Sequence, residues 1–250
     1  MTSPSGPAGK NVLVPSAFQT RTFANTAVGL LREMILSGAF GPGERLNELA
    51  ISEQLQISRS PIREALQALA GQGLVRFVAG RGAYVMDFDA DSVRHIGEVR
   101  VALETRAARL ASDRATPEQI GTIEKILQSA NQAIETGAIA RMLQNTDHAI
   151  QTGAVYPPEL DFHHAVVEAS HNPRLIAVTG EITTQFRLAR ARGGREDAWA
   201  ASAYAEHVAI FDSIRRGDPD GASEAMEVHV ANSTSSLIAH IEASGGHQGG

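Results

Sequence analysis

Residues 73–88, GLVRFVAGRGAYVMDF, break the rhythm of the chain around them. Leu74, Val75, Phe77 and Val78 lead into Gly-Arg-Gly, and Tyr84, Val85 and Met86 lead out. That is the pattern of a two-stranded hairpin turning on glycines. On both sides apolar residues recur at helical spacing, so the chain is expected to be mainly α with one small β element. A lone hairpin is not stable by itself and must pack on the helices next to it.

Ahead of the hairpin, a helix is expected from about Thr26 to Ser37, with Val28, Leu31, Ile35 and Leu36 on one stripe and Gly38 after it. FGPGERL reads as a turn and a short extended piece. Two short helices follow, NELAISEQLQ and SPIREALQALAGQ, with ISRS between them. Ser60 suits the N-cap of the second, Pro61 its first position, and Glu64 the positive end of its dipole. Beyond Asp89 the pattern is helical throughout, in segments at roughly 90–113, 117–136, 138–151, 158–170, 173–192, 197–216 and 219–243. The expected organisation is a flexible tail at 1–22, a front domain at 23–87, an all-helical domain of six or seven helices at 88–243, and a loose end at 244–250.

The 250 residues include no cysteine, which excludes disulfides, thiolate metal sites and a cysteine nucleophile. The first residues do not resemble a signal peptide, and no apolar run reaches the 18 residues of a membrane span. A cytoplasmic protein is expected, with no membrane partner. Residues 1–87 carry eight Lys/Arg against six Asp/Glu, a net +2, whereas residues 88–250 carry fourteen against twenty-two, a net −8. Only the front part, residues 1–87, has the sign to meet a polyanion, and its excess is modest.

Helix, helix-turn-helix and two-stranded wing is the order of a winged helix-turn-helix, whose second short helix can lie in the major groove of double-stranded DNA. Here that helix begins SRSPIREAL. Arg59 and Arg63 are four apart and project from one face, and an arginine fork matches the two major-groove acceptors of guanine. Ser58 and Ser60 offer hydroxyls to phosphates or bases. At the wing tip Gly80 and Gly82 permit close approach of the backbone, and Arg81 can enter the minor groove. The competing reading has Arg59 and Arg63 as solvated side chains paired with Glu64 or Glu53. Helix-turn-helix proteins bind as two-fold dimers, so a homodimer on a near-palindromic operator is expected.

In the back domain, YPPELDFHHAV places Glu159 and His163 one helical turn apart. The last two helices form a hairpin around RRGDPD, with Asp218 as N-cap and Pro219 as first helical residue. His207 and His229 are nearly equidistant from that turn, so on antiparallel helices they stand at matched height. Glu159, His163, His207 and His229 make an O,N,N,N set for a divalent transition metal: zinc first, with nickel, manganese or iron as alternatives. The bland reading is that of ordinary helix histidines, and it is kept for His95, His148, His164, His171, His240 and His247. Such a cluster could also activate water in a metal-dependent hydrolase, although no general base is evident beyond Asp161.

The stretch LREMILSGAFGPGERLNELAISEQLQISRSPIREALQALAGQGLVRFVAGRGAYV resembles the GntR family of bacterial transcription regulators, with GPGERLNE, SRSPIREAL, GLV and GRGAYV in the family's order and spacing. EVRVALETRAARLA, ELDFHHAVVEASHNPRL and EHVAIFDSIRRGDPDGASEAMEVHV resemble the all-helical FCD effector domain of its FadR-type branch. The resemblance implies operator contacts at Arg59, Arg63 and Gly80, and metal ligands at Glu159, His163, His207 and His229. It also implies a small carboxylate effector against the metal, with Arg100 as its clamp and Asn172 nearby. For Arg100 the alternative is a salt bridge to Glu104, and for Asn172 a helix cap ahead of Pro173. Two departures stand out. Leu49 replaces an arginine that reaches DNA in many relatives, and Glu159 replaces the family's aspartate. The expected function is a metabolite-responsive regulator, most simply a repressor, and not an enzyme.

Overall fold

The computed structural model describes residues 16–136, 158–192 and 197–245. The first helix, α1 (Ser16–Leu36), begins ten residues before the expected start, so part of the expected tail is helical. A two-residue strand β1 (Arg45–Leu46) precedes α2 (Glu48–Leu55) and α3 (Arg59–Gly71). The hairpin forms β2 (Val75–Val78) and β3 (Gly82–Val85), paired antiparallel with Val75 opposite Val85 and Val78 opposite Gly82. The extended piece joins them as a third strand, Arg45 opposite Tyr84, giving the order β1-β3-β2.

The helical part contains α4 (Ala90–Arg114), α5 (Pro117–Glu135), α6 (Pro158–Ala169), α7 (Pro173–Arg192), α8 (Asp197–Arg215) and α9 (Pro219–Gly245). The segment expected as a helix at 138–151 lies outside the described residues. α4 and α5 start as their sequences dictate. Asp89 caps α4 through the Ser92 amide, and Thr116 with Gln119 makes a reciprocal capping box on α5. α4 lies along α9, and the two approach so closely at Gly97 that a Cβ there would stand 2.5 Å from Thr234 Cγ2.

Two cores position the chemistry. In the front core, α3 turns Ile62, Ala65, Leu66 and Leu69 onto Ala27, Leu31 and Ile35 of α1, leaving Arg59, Ser60, Arg63 and Glu64 in solvent. Truncating one such leucine costs about 2–5 kcal/mol. This core does not stop at the expected boundary near residue 87. Val93 and Ile96 of α4, Phe186 and Leu188 of α7, and Leu237 of α9 belong to it. At the joint, Gln185 Nε2 donates to the Gln72 carbonyl at 3.2 Å, and Arg32 Nη2 donates to Gln72 Oε1 at 2.8 Å. Gly73 sits there in left-handed conformation (φ 71°), and a Cβ on it would fall 2.4 Å from Gln185 Nε2. The second core packs Phe162 and Val166 of α6 with Ile210 of α8, Met226 and Val230 of α9 and Ile123 of α5.

Candidate DNA-reading surface and candidate metal centre

On the front domain the six residues expected to meet DNA are all exposed. Ser58, in extended conformation, is the N-cap of α3, so the helix starts two residues earlier than expected. Ser60, the expected cap, instead lies inside the first turn and donates to Glu64 at 3.3 Å. Pro61 permits this earlier start, because its missing amide has no helical partner in the first turn, and Ser58 makes no side-chain capping bond among the described residues. The wing turn closes through Arg81 N to Val78 O at 2.9 Å, with Gly80 at φ 70° and open space where its side chain would be.

The partner of the arginines is neither Glu53 nor Glu64 but Glu48, the first residue of α2. Arg63 holds it side-on: Nε donates to Oε1 at 3.1 Å, and Nη2 to Oε2 at 2.7 Å. Arg59 Nη2 stands 3.7 Å from the same Oε2. Both arginine side chains are 59% exposed and Glu48 is 18% exposed. The Arg63 hydrogen bonds and charge hold the Glu48 carboxyl below the usual carboxylate range, against the smaller opposing effect of burial. Asn47 fixes the start of α2 beneath it by accepting from the amides of Leu49 and Ala50.

In the back domain α6, α8 and α9 bring His163, His207 and His229 together. All three are buried, and their ligand nitrogens lie within 4.8 Å of one another. His163 Nε2 and His207 Nε2 each lie 3.1 Å from His229 Nε2. The symmetric placement about residue 218 is therefore realised. Glu159 lies on the first turn of α6, but its side chain falls outside the described residues.

Two carboxylates that sequence reasoning did not assign to the centre fix its chemistry. Glu104, fully buried on α4, meets His163 Nδ1 at 2.5 Å, and Glu206 meets His229 Nδ1 at 2.7 Å. Burial alone would raise the Glu104 carboxyl, but the Arg100 charge and the His163 contact outweigh it and hold it well below the usual range. Burial would likewise raise Glu206, yet hydrogen bonds from His229 and Asn232 keep it low. Ionised carboxylates only accept, so both histidines donate from Nδ1 and turn Nε2 toward the centre. Burial pushes His229 down to about 4 and His207 well down, each helped by neighbouring histidines. The Nε2 atoms of His163 and His229 thus face each other as lone-pair donors, and a metal ion at the centre would turn that repulsion into attraction. Two nitrogens on one zinc-like ion, each about 2.0–2.1 Å from it, would sit about 3–3.4 Å apart, so the observed spacing suits a metal. Phe162 stacks on His207, centroids 4.2 Å apart, and forms one wall.

Arg100 is 1% exposed and pairs with Glu104, Nε to Oε1 at 2.7 Å, while its guanidinium lies 4.0 Å over the Phe186 ring. The salt bridge expected as the alternative is present. Even so, Nη1 is buried with no hydrogen-bond partner among the described residues, an arrangement that costs free energy unless an acceptor arrives. Asn172 serves as the cap of α7: its Oδ1 accepts from the amides of Arg174 and Leu175 at 3.1 and 3.2 Å. The capping alternative has Asn172 closing the helix before Pro173; it opens the helix after it instead.

Glu104 and Glu206 left partial traces in the sequence. Glu104 is one turn beyond Arg100, and Glu206 precedes His207 and lies across the hairpin from the His229 turn. Neither spacing says that a carboxylate will face an imidazole on another helix.

Comparison with known proteins agrees with both halves. Residues 23–85 match the model of the bacterial regulatory proteins of the gntR family, and residues 95–232 match that of the FCD domain. The chain is 28% identical over 199 residues to the uncharacterized HTH-type transcriptional regulator YdhC of Bacillus subtilis, covering 80% of this chain and 84% of that protein. It is 29% identical over 221 residues to the HTH-type transcriptional repressor NanR of Escherichia coli K12, covering 80% and 78%. The solved structure of E. coli McbR/YncC shares the fold, with a TM-score of 0.68 at 20% identity over 89% of this chain and 98% of that one. Both sequence relatives are transcriptional regulators by name. The protein belongs to the GntR family of bacterial DNA-binding transcriptional regulators and carries a C-terminal FCD domain.

Proposed function

We propose that the protein is a metabolite-responsive repressor, acting as a cytoplasmic homodimer on operator DNA. Its helical domain would hold a divalent transition metal together with a small organic acid. The observation that carries this reading is the pair of Nε2 atoms, on His163 and His229, turned onto each other at 3.1 Å by Glu104 and Glu206. His163, His207 and His229 would hold the metal, with Glu159 as an oxygen donor from the turn before His163; the donor set suits zinc first, then nickel, manganese or iron. Bound there, the ion would supply a Lewis-acid anchor for one oxygen of an anionic ligand. The chain's own contribution is the Arg100 Nη1 donor, buried and without a hydrogen-bond partner among the described residues, which is suited to a carboxylate or its bridging water. The repressor assignment rests on the likeness to NanR, itself a repressor by name.

The test is a melting screen against small carboxylates, run on the purified protein and again after chelation, with metal content measured alongside. A carboxylate that raises the melting temperature only while metal is present supports the sensor and names its ligand class. His207→Ala with His229→Ala should abolish bound metal; full stoichiometry in that variant would move the site elsewhere. If chelation collapses the fold and no acid shifts the melt, the metal is structural.

A further inference from the structure

Arginine carries five N–H donors in one plane, on two edges suited to forked contacts. Glu48 occupies the side edge of Arg63, made by Nε and Nη2. The end edge, one N–H from each of Nη1 and Nη2, is left over, and that edge fits the two major-groove acceptors of guanine. A lysine held by the same carboxylate would keep no such directed pair. Glu48 can therefore brace Arg63 from behind while Arg63 reads a base in front. The brace is itself anchored: Glu48 is the least exposed of the three charged groups and sits on the turn that Asn47 caps. The same carboxylate draws in Arg59, whose Nη2 is 3.7 Å away, and offsets the repulsion between two cations on one helix face.

We propose that Glu48 is a specificity-determining residue of the DNA-reading surface, positioning Arg63 and biasing Arg59 so that they meet base edges rather than the nearest phosphates. This goes beyond the metal and effector reading and depends only on α3 being the helix that reads DNA. A carboxylate facing a polyanion weakens general affinity. Its removal should therefore trade specificity for affinity, an outcome that a purely structural role does not produce.

The experiment is selection from a randomised duplex library with the wild type, Glu48→Gln and Glu48→Asp. Binding to the selected duplex and to a scrambled one of equal length is then measured across salt. For Glu48→Gln the expected result is scrambled-duplex affinity equal to or above wild type and a salt slope steeper by about one. Discrimination between the two duplexes should fall by roughly 10-fold or more, the value of one good base pairing. Glu48→Asp keeps the charge but not the reach, so it should lose discrimination with the salt slope unchanged. An unchanged motif and discrimination ratio in Glu48→Gln would overturn the proposal. So would equal loss of binding to both duplexes, which would mean that Glu48 only holds α2 in place. If the wild type itself enriched no motif, the assignment of α3 would fail first, and the role of Glu48 with it.

Discussion

The candidate DNA-reading surface and the buried centre are built from one device under opposite conditions. In each, a carboxylate on one helix holds nitrogen donors on another element or turn: Glu48 with Arg63, Glu104 with Arg100 and His163, Glu206 with His229. At the surface the arginines are 59% exposed; in the centre Arg100 and Glu104 are at 1% and 0%. Water decides what the device is worth. Exposed pairs add little stability, and a side-on pair leaves the end edge of the arginine facing outward, which is what a groove-reading side chain requires. Buried pairs cannot lose one member without stranding the other in a poor solvent, so they fix geometry. The surface pair keeps an outward edge for a second partner, and the buried pairs enclose theirs.

The largest expected effect tests the buried side. Glu104→Ala strands the Arg100 guanidinium and should cost about 3–5 kcal/mol in urea unfolding. A loss below about 1 kcal/mol would mean that Arg100 reaches water and that the two regions do not differ as described. At the surface, Arg63→Ala should lower discrimination between operator and scrambled duplex by roughly 10- to 100-fold. It should move the melting midpoint by no more than about 2–4 °C. Retained discrimination, or a large fall in melting temperature, would break the comparison from the other end.

The smallest effect is in pH. Glu48 is held below the ordinary glutamate range, so its pairing stabilises the folded state above about pH 4.3 and loses that contribution as pH falls through this range. The difference in melting temperature between wild type and Glu48→Gln should hold steady near neutrality and shrink toward pH 3. A difference that persists there would show packing, not charge, at that position.

Much was legible in advance. The apolar stripe of α1, the rhythm change at Gly73 and the turn residues Asp218 and Pro219 depend on neighbours within a few residues, and local patterns carry that information. Even the matched height of His207 and His229 followed from counting outward from one turn. The start of α1, the joining of β1 to the wing and the capping of α3 by Ser58 were less legible, because short elements and helix ends are settled by small differences between competing local contacts.

The sequence by itself determined a winged reading domain, a helical domain and the three histidines, since periodicity, capping and turn spacing act along the chain. Only the tertiary structure decided that Glu48 and not Glu53 or Glu64 meets Arg63, that Glu104 and Glu206 turn two imidazoles inward, and that Arg100 keeps one buried donor without a partner among the described residues. Each of these depends on residues from 4 to 59 positions apart meeting in a shared environment, where burial sets which charges survive and in which direction they point.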